Sequence, residues 1–125
     1  VKHLMHTGDE LPKVLPETPM NKVLYEISNK RLGLTTIVDA NDKLLGIFTD
    51  GDLRRLIDKQ QGFDVNLPVS EVMIQHPSTI SKEARAVEAL EQMNMKKINQ
   101  FVVVDDENKV IGVIGMHDLI QAGVN

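Results

Sequence analysis

The stretch Leu44-Leu45-Gly46-Ile47-Phe48-Thr49-Asp50-Gly51-Asp52-Leu53 governs the reading of this chain, because its pattern returns once. Laid 66 positions further on, Leu44-Leu45-Gly46-Ile47-Phe48 falls on Val110-Ile111-Gly112-Val113-Ile114, and Asp52-Leu53 falls on Asp118-Leu119. The same offset places Val38-Asp39 on Val104-Asp105, Lys43 on Lys109, Leu24 on Leu90 and Glu17 on Glu83. Upstream, Val1 to Met5 resembles Val69 to Met73 at an offset of 68, so the first copy carries two extra loop residues. Self-similarity at a fixed spacing marks a duplicated supersecondary unit.

The hydrophobic periods repeat along with the letters. Met20, Val23, Leu24 and Ile27 have the i, i+3, i+4, i+7 spacing of an amphipathic helix, and Ala86, Ala89, Leu90 and Met93 restate it. Thr18-Pro19 reads as an N-cap followed by proline at the first helical position. Strands follow at Thr35 to Asp39 and Phe101 to Asp105, then polar turns, then strands at Leu44 to Phe48 and Val110 to Ile114. Short helices close the units near Asp50 to Lys59 and Met116 to Gln121. Each copy is thus β-α-β-β-α, and the expected fold class is α/β (α+β). A unit of about 55 residues buries too little apolar surface to stand securely alone. Two copies packed through their sheets about a pseudo-twofold axis would answer that. The expected boundaries are residues 1–62 and 69–125, with 63–68 as the linker inside the stretch Gln61 to Pro68 that holds Gly62 and Pro68.

Composition narrows the function. The 125 residues are 42% hydrophobic but hold only three Phe, one Tyr and no Trp, so the core is aliphatic. A net charge of −4 lacks the basic excess of a nucleic-acid surface. There is no cysteine, hence no disulfide and no thiolate metal site. No apolar run reaches the roughly 18 residues a bilayer span requires, and Val1-Lys2-His3-Leu4-Met5 is no signal peptide. The expectation is a cytoplasmic chain without membrane or nucleic-acid partners. It starts without Met and reads as a piece of something longer.

The motif Gly46-Ile47-Phe48-Thr49-Asp50-Gly51-Asp52 and its counterpart Gly112-Val113-Ile114-Gly115-Met116-His117-Asp118, inside a β-α-β-β-α duplication, resemble the CBS domain pair over essentially the whole chain. Three segments sharpen the resemblance: Met5-His6-Thr7-Gly8-Asp9-Glu10, then Gly46 through Arg54-Arg55, then Met116-His117-Asp118-Leu119 with Ala122-Gly123-Val124. Together they are similar to the C-terminal regulatory region of bacterial D-arabinose 5-phosphate isomerases. Those enzymes interconvert ribulose 5-phosphate and arabinose 5-phosphate for synthesis of the lipopolysaccharide sugar Kdo. The resemblance implies an N-terminal sugar isomerase domain as partner in the parent chain, with nothing here corresponding to it. It also implies self-association into a dimer. This fragment is therefore expected to be no enzyme itself.

The motif suits a phosphorylated ligand. At a strand-to-helix junction the first helical amides are unsatisfied and the dipole favours an anion. The Thr49 hydroxyl can donate to a phosphate oxygen, and the Asp52 carboxylate can accept from the vicinal hydroxyls of a ribose; the resemblance implies these same roles. Gly46 permits close backbone approach, Gly51 an open first turn, and Arg54 or Arg55 a bidentate phosphate contact. Thr-x-x-Asp at a helix start is equally a capping box that satisfies only its own backbone, and both readings stand. In the second motif Gly115 replaces the threonine, Asp118 remains, and His117 beside it can meet an anionic or sugar group. The resemblance adds Thr79 as a base contact. The expected regulatory ligand, in the cleft between repeats, is a nucleotide or nucleotide-sugar: CMP-Kdo, or AMP or another adenylate.

Other candidates carry less. His3-x-x-His6 is half a metal site with no third ligand and reads as a solvated terminus. Asp50 and Asp52 lack the remaining EF-hand positions. No P-loop, H-E-x-x-H or G-x-S-x-G is present, so no catalytic residue, metal or cofactor is expected. Met5, Met73 and Met93 read as core filler and Lys96-Lys97 as a solvated helix end. The alternative to sensing is a structural dimerisation module using an apolar helix face at Leu53, Leu56 and Ile57.

Overall fold

A strand buried on both faces needs partners for its backbone on both edges, and Leu34–Val38 has them. In the computed structural model, which describes residues 1–60 and 64–124, all five of its residues are buried. This strand, β2, follows β1 (Lys13–Val14) and helix α1 (Met20–Lys30), and pairs with β1 in parallel. It pairs antiparallel with β3 (Leu44–Thr49), which leads without a break into α2 (Asp50–Gln60). The strand after that, β4 (Ile74–Gln75), closes the sheet in the order β1-β2-β3-β4. The second copy gives β5 (Thr79–Ser81), α3 (Ala86–Lys96), β6 (Gln100–Val104), β7 (Val110–Gly115) and α4 (Met116–Gln121), with a three-stranded sheet β5-β6-β7. The expected β-α-β-β-α therefore occurs twice, each boundary within a residue or two.

The hairpins repeat atom for atom. Asp39 Oδ1 accepts from the Asn41 and Lys43 amides at 2.8 and 3.0 Å, and Asp105 Oδ1 accepts from Glu107 and Lys109 at 2.9 Å each. Asp42 and Asn108 hold the left-handed position of each turn, at φ 66 and 64. Both hairpins shift register at the same place, Ile37/Val38 and Val103/Val104.

The repeats in sequence are not the units in space. Two compact units form, one from residues 12–76 and the other from 1–11 with 77–125. Each copy's opening segment has gone to the other's core, and the backbone shows it. Ser70 N donates to Pro16 O at 3.0 Å, and Lys2 N donates to Lys82 O at 3.2 Å. The Val69 amide donates to Thr18 O at 2.9 Å, a place the α-amino group of Val1 takes on Ala84 O at 2.9 Å. The boundaries 1–62 and 69–125 follow the duplication; the packing follows the exchange. The reason is burial. Val69 is fully buried with Met20, Val23, Ile27, Ile37 and Phe48, while Val1, Leu4 and Met5 pack on the core of Leu90, Met93, Phe101 and Ile114. Covering a side chain of this size contributes about 1.5–3 kcal/mol.

The predicted helix faces are the buried ones: Met20, Val23 and Ile27 on α1, and Ala89, Leu90 and Met93 on α3. Thr18 differs from expectation. Pro19 occupies the N-cap, and the amides of Met20 and Asn21 donate instead to Leu67 O and Val65 O, both at 2.9 Å. Thr18 Oγ1 accepts from the Leu15 amide at 3.2 Å and so belongs to the preceding turn. The described part of the expected linker, residues 64–68, therefore caps α1; Gln61, Gly62 and Phe63 lie outside the described residues. Lys96 is more than a solvated end, since its Nζ lies 5.6 Å from the centroid of Phe101. Leu53 and Leu56 pack against the core of their unit, which leaves Ile57, 44% exposed, as the apolar residue of that expected face open to water.

Candidate functional site

The end of β3 turns directly into α2, so Thr49 is at once the last strand residue and the one preceding the helix. Its amide and its hydroxyl both donate to Asp52 Oδ2 at 2.9 Å, and the Asp52 amide returns to Thr49 Oγ1 at 3.1 Å. This is the reciprocal arrangement of a capping box. The other oxygen, Oδ1, accepts from Arg55 Nη2 at 2.5 Å. Asp52 is buried at 8%, whereas the Arg55 side chain is 66% exposed. Arg55 is thus the arginine paired with Asp52; Arg54 is exposed one position earlier.

The two glycines act differently from what the sequence suggests. A Cβ on Gly46 would sit 2.6 Å from Ile74 O and 2.8 Å from Met73 Sδ. The close approach that Gly46 permits is thus made by the chain's own β4. Gly112 is covered in the same way by Met5, whose Sδ would lie 2.7 Å from an added Cβ. At Gly51 an added Cβ would meet nothing closer than 3.6 Å, so the open first turn does not depend on glycine there.

The second motif lies in the other unit and is built around Asp118. Its Oδ2 accepts from the Gly115 amide at 2.8 Å, which keeps half of the cap although the threonine is gone. Its Oδ1 faces His6 Nε2 at 2.9 Å, and His6 Nδ1 faces Glu10 Oε1 at 2.8 Å. His6 is consequently no solvated terminus. The exposed His117 stands next to Asp118 in the chain, but the imidazole against that carboxylate is His6. Burial pulls the proton affinity of His6 down; hydrogen bonds to the Glu10 and Asp118 carboxylates outweigh it and leave the pKa above its ordinary value. Thr79 opens β5, half-buried and in register with Val102. Thr49 and Asp52 are brought together, as are Asp52 and Arg55. Thr79, His117 and Asp118 belong to the second unit and are described there alone.

An open cleft of about 340 Å³ lined by Lys13, Val14, Leu15, Val38, Asp39, Ala40 and Asp42 lies at the far end of β2 from the motif. Leu34 pairs with Thr49 at one end of that strand and Val38 with Leu44 at the other. The cleft and the motif are therefore separate features, and the cleft carries its own ion pair, Lys13 Nζ to Asp42 Oδ1 at 3.4 Å. Among the described residues no group of three or more His, Cys, Asp or Glu could hold a metal ion. Nor is any described helix long and apolar enough to cross a membrane.

Fold and motif together define a tandem pair of β-α-β-β-α modules, and the chain belongs to the CBS domain family, whose model matches residues 1–59 and 69–125. Along 99% of its length it is 45% identical to arabinose 5-phosphate isomerase KdsD of Pseudomonas aeruginosa, of which it covers 38%. To the KdsD of Francisella tularensis it is 44% identical over 97% of its length, covering 36% of that protein. It thus spans a little over a third of these relatives. A solved structure of CBSX2 in complex with AMP has the same fold, with a TM-score of 0.81 at 22% identity, covering 98% of this chain and 93% of that one.

Proposed function

We propose that this chain is the nucleotide-sensing regulatory part of an arabinose 5-phosphate isomerase, acting in the cytoplasm on Kdo and lipopolysaccharide synthesis and doing no chemistry itself. The observation that carries the sensing half is the state of Asp52. Its carboxylate is positioned at a strand-to-helix junction by Thr49, and the remaining oxygen is held by an arginine that is mostly in water. Arg55 is mostly in water and can swing from Asp52 to a phosphate if ribose hydroxyls replace it as donors to the buried carboxylate. Asp52 would then take the ribose hydroxyls and Thr49 or Arg54 a further phosphate oxygen. Thr79, His117 and Asp118 would supply contacts from the second repeat. The relatives support the isomerase connection, and the AMP complex of CBSX2 supports an adenylate beside CMP-Kdo as ligand.

Thermal-shift and calorimetric titration with CMP-Kdo, CMP, AMP, ATP and S-adenosylmethionine test the reading. A ligand at a hundred times its Kd adds about 2.7 kcal/mol of stability, and Asp52→Ala should abolish that gain. Indifference to every compound, or undiminished binding by Asp52→Ala, rules sensing out. A second reading, an assembly module alone, is favoured by the exposed Ile57 on α2. Sedimentation that shows a dimer, weakened by Ile57→Asp and unmoved by any nucleotide, would select it.

A further inference from the structure

The segment Met5-His6-Thr7-Gly8-Asp9-Glu10 is left over once the Thr49 motif has been given its role. In the structure it is fastened from several sides within its own unit. Met5 covers Gly112. The His6 amide donates to Val113 O at 2.8 Å, and the Val113 amide returns to His6 O at 3.1 Å. The backbone is thus fixed, and the imidazole stands between two carboxylates, Nε2 at 2.9 Å from Asp118 and Nδ1 at 2.8 Å from Glu10.

An ionised carboxylate only accepts hydrogen bonds, and an imidazole has two N–H donors only when protonated. Both contacts can therefore be hydrogen bonds in the imidazolium alone. With one proton gone, one ring nitrogen turns a lone pair on a carboxylate and that contact must open. The two carboxylates are unequal. Asp118, 21% exposed, is held by the Gly115 amide, whereas Glu10 is 71% exposed and can turn to water. Glu10 is the one to leave. The turn that carries it, Gly8–Glu10, would keep only backbone bonds, from Glu10 N to Thr7 O at 3.2 Å and from Leu11 N to Gly8 O at 3.1 Å.

We propose that His6 is a proton-operated clasp, which as imidazolium ties Glu10 in the turn Gly8–Glu10 to Asp118 at the start of α4 and on deprotonation releases the turn. The ionisable groups facing His6 are Glu10 from its own segment and Asp118 from α4; β6 and β7 carry no ionisable residue. The direction of the His6 shift fits, since the carboxylates outweigh burial. The clasp is whole below the ordinary histidine pKa of about 6.5 and is lost as pH rises through the higher folded value. It does not depend on any bound nucleotide.

The test is NMR on the chain without ligand, following the His6 ring titration and the exchange of the Glu10 and Leu11 amides. His6 should titrate above the ordinary value, and Glu10→Gln and Asp118→Asn should each lower its proton affinity. After correction for intrinsic chemistry, exchange at Glu10 and Leu11 should quicken about twofold to fivefold from roughly pH 6 to pH 8, the scale of a partly exposed ion pair. In Glu10→Gln, an exposed change that leaves the core untouched, that pH dependence should vanish. An ordinary His6 titration unmoved by either variant overturns the clasp. So does turn protection that is flat with pH in the wild type, or still pH-dependent in Glu10→Gln.

Discussion

Gly46→Ala and Gly112→Ala make the same chemical change at two positions related by the duplication, yet their surroundings set different costs. At Gly46 the added methyl falls 2.6 Å from Ile74 O, with Met73 Sδ at 2.8 Å and Met73 Cγ at 3.1 Å. A methionine can turn aside. The carbonyl cannot, because it belongs to β4, which moves only by loosening its pairing with β3. At Gly112 the nearest atoms are Met5 Sδ and Cγ, at 2.7 and 3.0 Å, with His6 O further off at 3.1 Å. Overpacking costs about 1–3 kcal/mol. Gly46→Ala belongs at the upper end, about 2–3 kcal/mol, and Gly112→Ala at the lower, about 1 kcal/mol. Alanine also restricts the unfolded chain, which returns about 0.4–1 kcal/mol to each. Gly112→Ala should therefore be close to neutral and Gly46→Ala clearly destabilised. With a urea slope of about 1–3 kcal/mol per molar, the Gly46→Ala midpoint should fall by roughly 1 M in far-UV circular dichroism. A double-mutant cycle adds a sharper comparison. Met5→Ala should relieve Gly112→Ala, while Met73→Ala should do little for Gly46→Ala because the backbone oxygen stays. Equal losses at the two glycines, or a tolerated Gly46→Ala, would refute the assignment of this contact to β4.

Gly51→Ala should be neutral or stabilising by about 0.4–1 kcal/mol, because the new methyl finds only ordinary contacts; a thermal melt decides. Asp52→Ala should cost about 1.5–3 kcal/mol, since a buried carboxylate receives the Thr49 amide and hydroxyl. Arg55→Ala should cost less, about 1 kcal/mol, since it takes one donor from the buried carboxylate and leaves those of Thr49, so chemical denaturation should separate the two although they share a hydrogen bond. Asp105 has its pKa lowered chiefly by the Lys109 amide. Its contribution is present above the unfolded value of about 3.9 and lost as pH falls through the lower folded value. Asp105→Asn should flatten the acid limb of a stability-against-pH curve, and an unchanged limb would remove the hairpin from that account.

The fold was legible because its determinants are local and occur twice. The i, i+3, i+4, i+7 faces of Met20 to Ile27 and Ala86 to Met93 are buried as their spacing requires. The Asp-turns at 39 and 105 end the strands where they stand in the sequence. The exchange of opening segments was not legible in the same way. Val1 to Met5 and Val69 to Met73 are alike, so the repeat alone fits either packing within a copy or packing across copies. What separates the two is distance along the chain: Val69 reaches Thr18 O, and Val1 reaches Ala84 O, through contacts that no local period encodes. The same limit hid β4 and the placing of Met5, and with them the reasons for Gly46 and Gly112.

At the motifs, the sequence left Thr-x-x-Asp open between a cap and a ligand contact, and the hydrogen bonds of Thr49 and Asp52 make the cap. A cap and a site are compatible, since the carboxylate that satisfies the helix start with one oxygen gives the other to Arg55, a side chain mostly in water. The second motif shows why such an oxygen needs a partner. The position that repeats Arg55 is Gln121, so α4 brings no cation to Asp118. A half-buried carboxylate left without a donor carries a desolvation cost, and the chain meets it with His6, 112 residues away in sequence. The missing arginine was visible in the sequence, whereas the histidine that replaces it could be assigned only after the exchanged segment had been placed. One copy holds its acid with an exposed arginine from the same helix turn; the other holds it with an imidazole whose backbone is bonded into β7. The first contact depends on a side chain open to water and the second on a proton. The duplication has thus produced two acids of the same origin under two different controls.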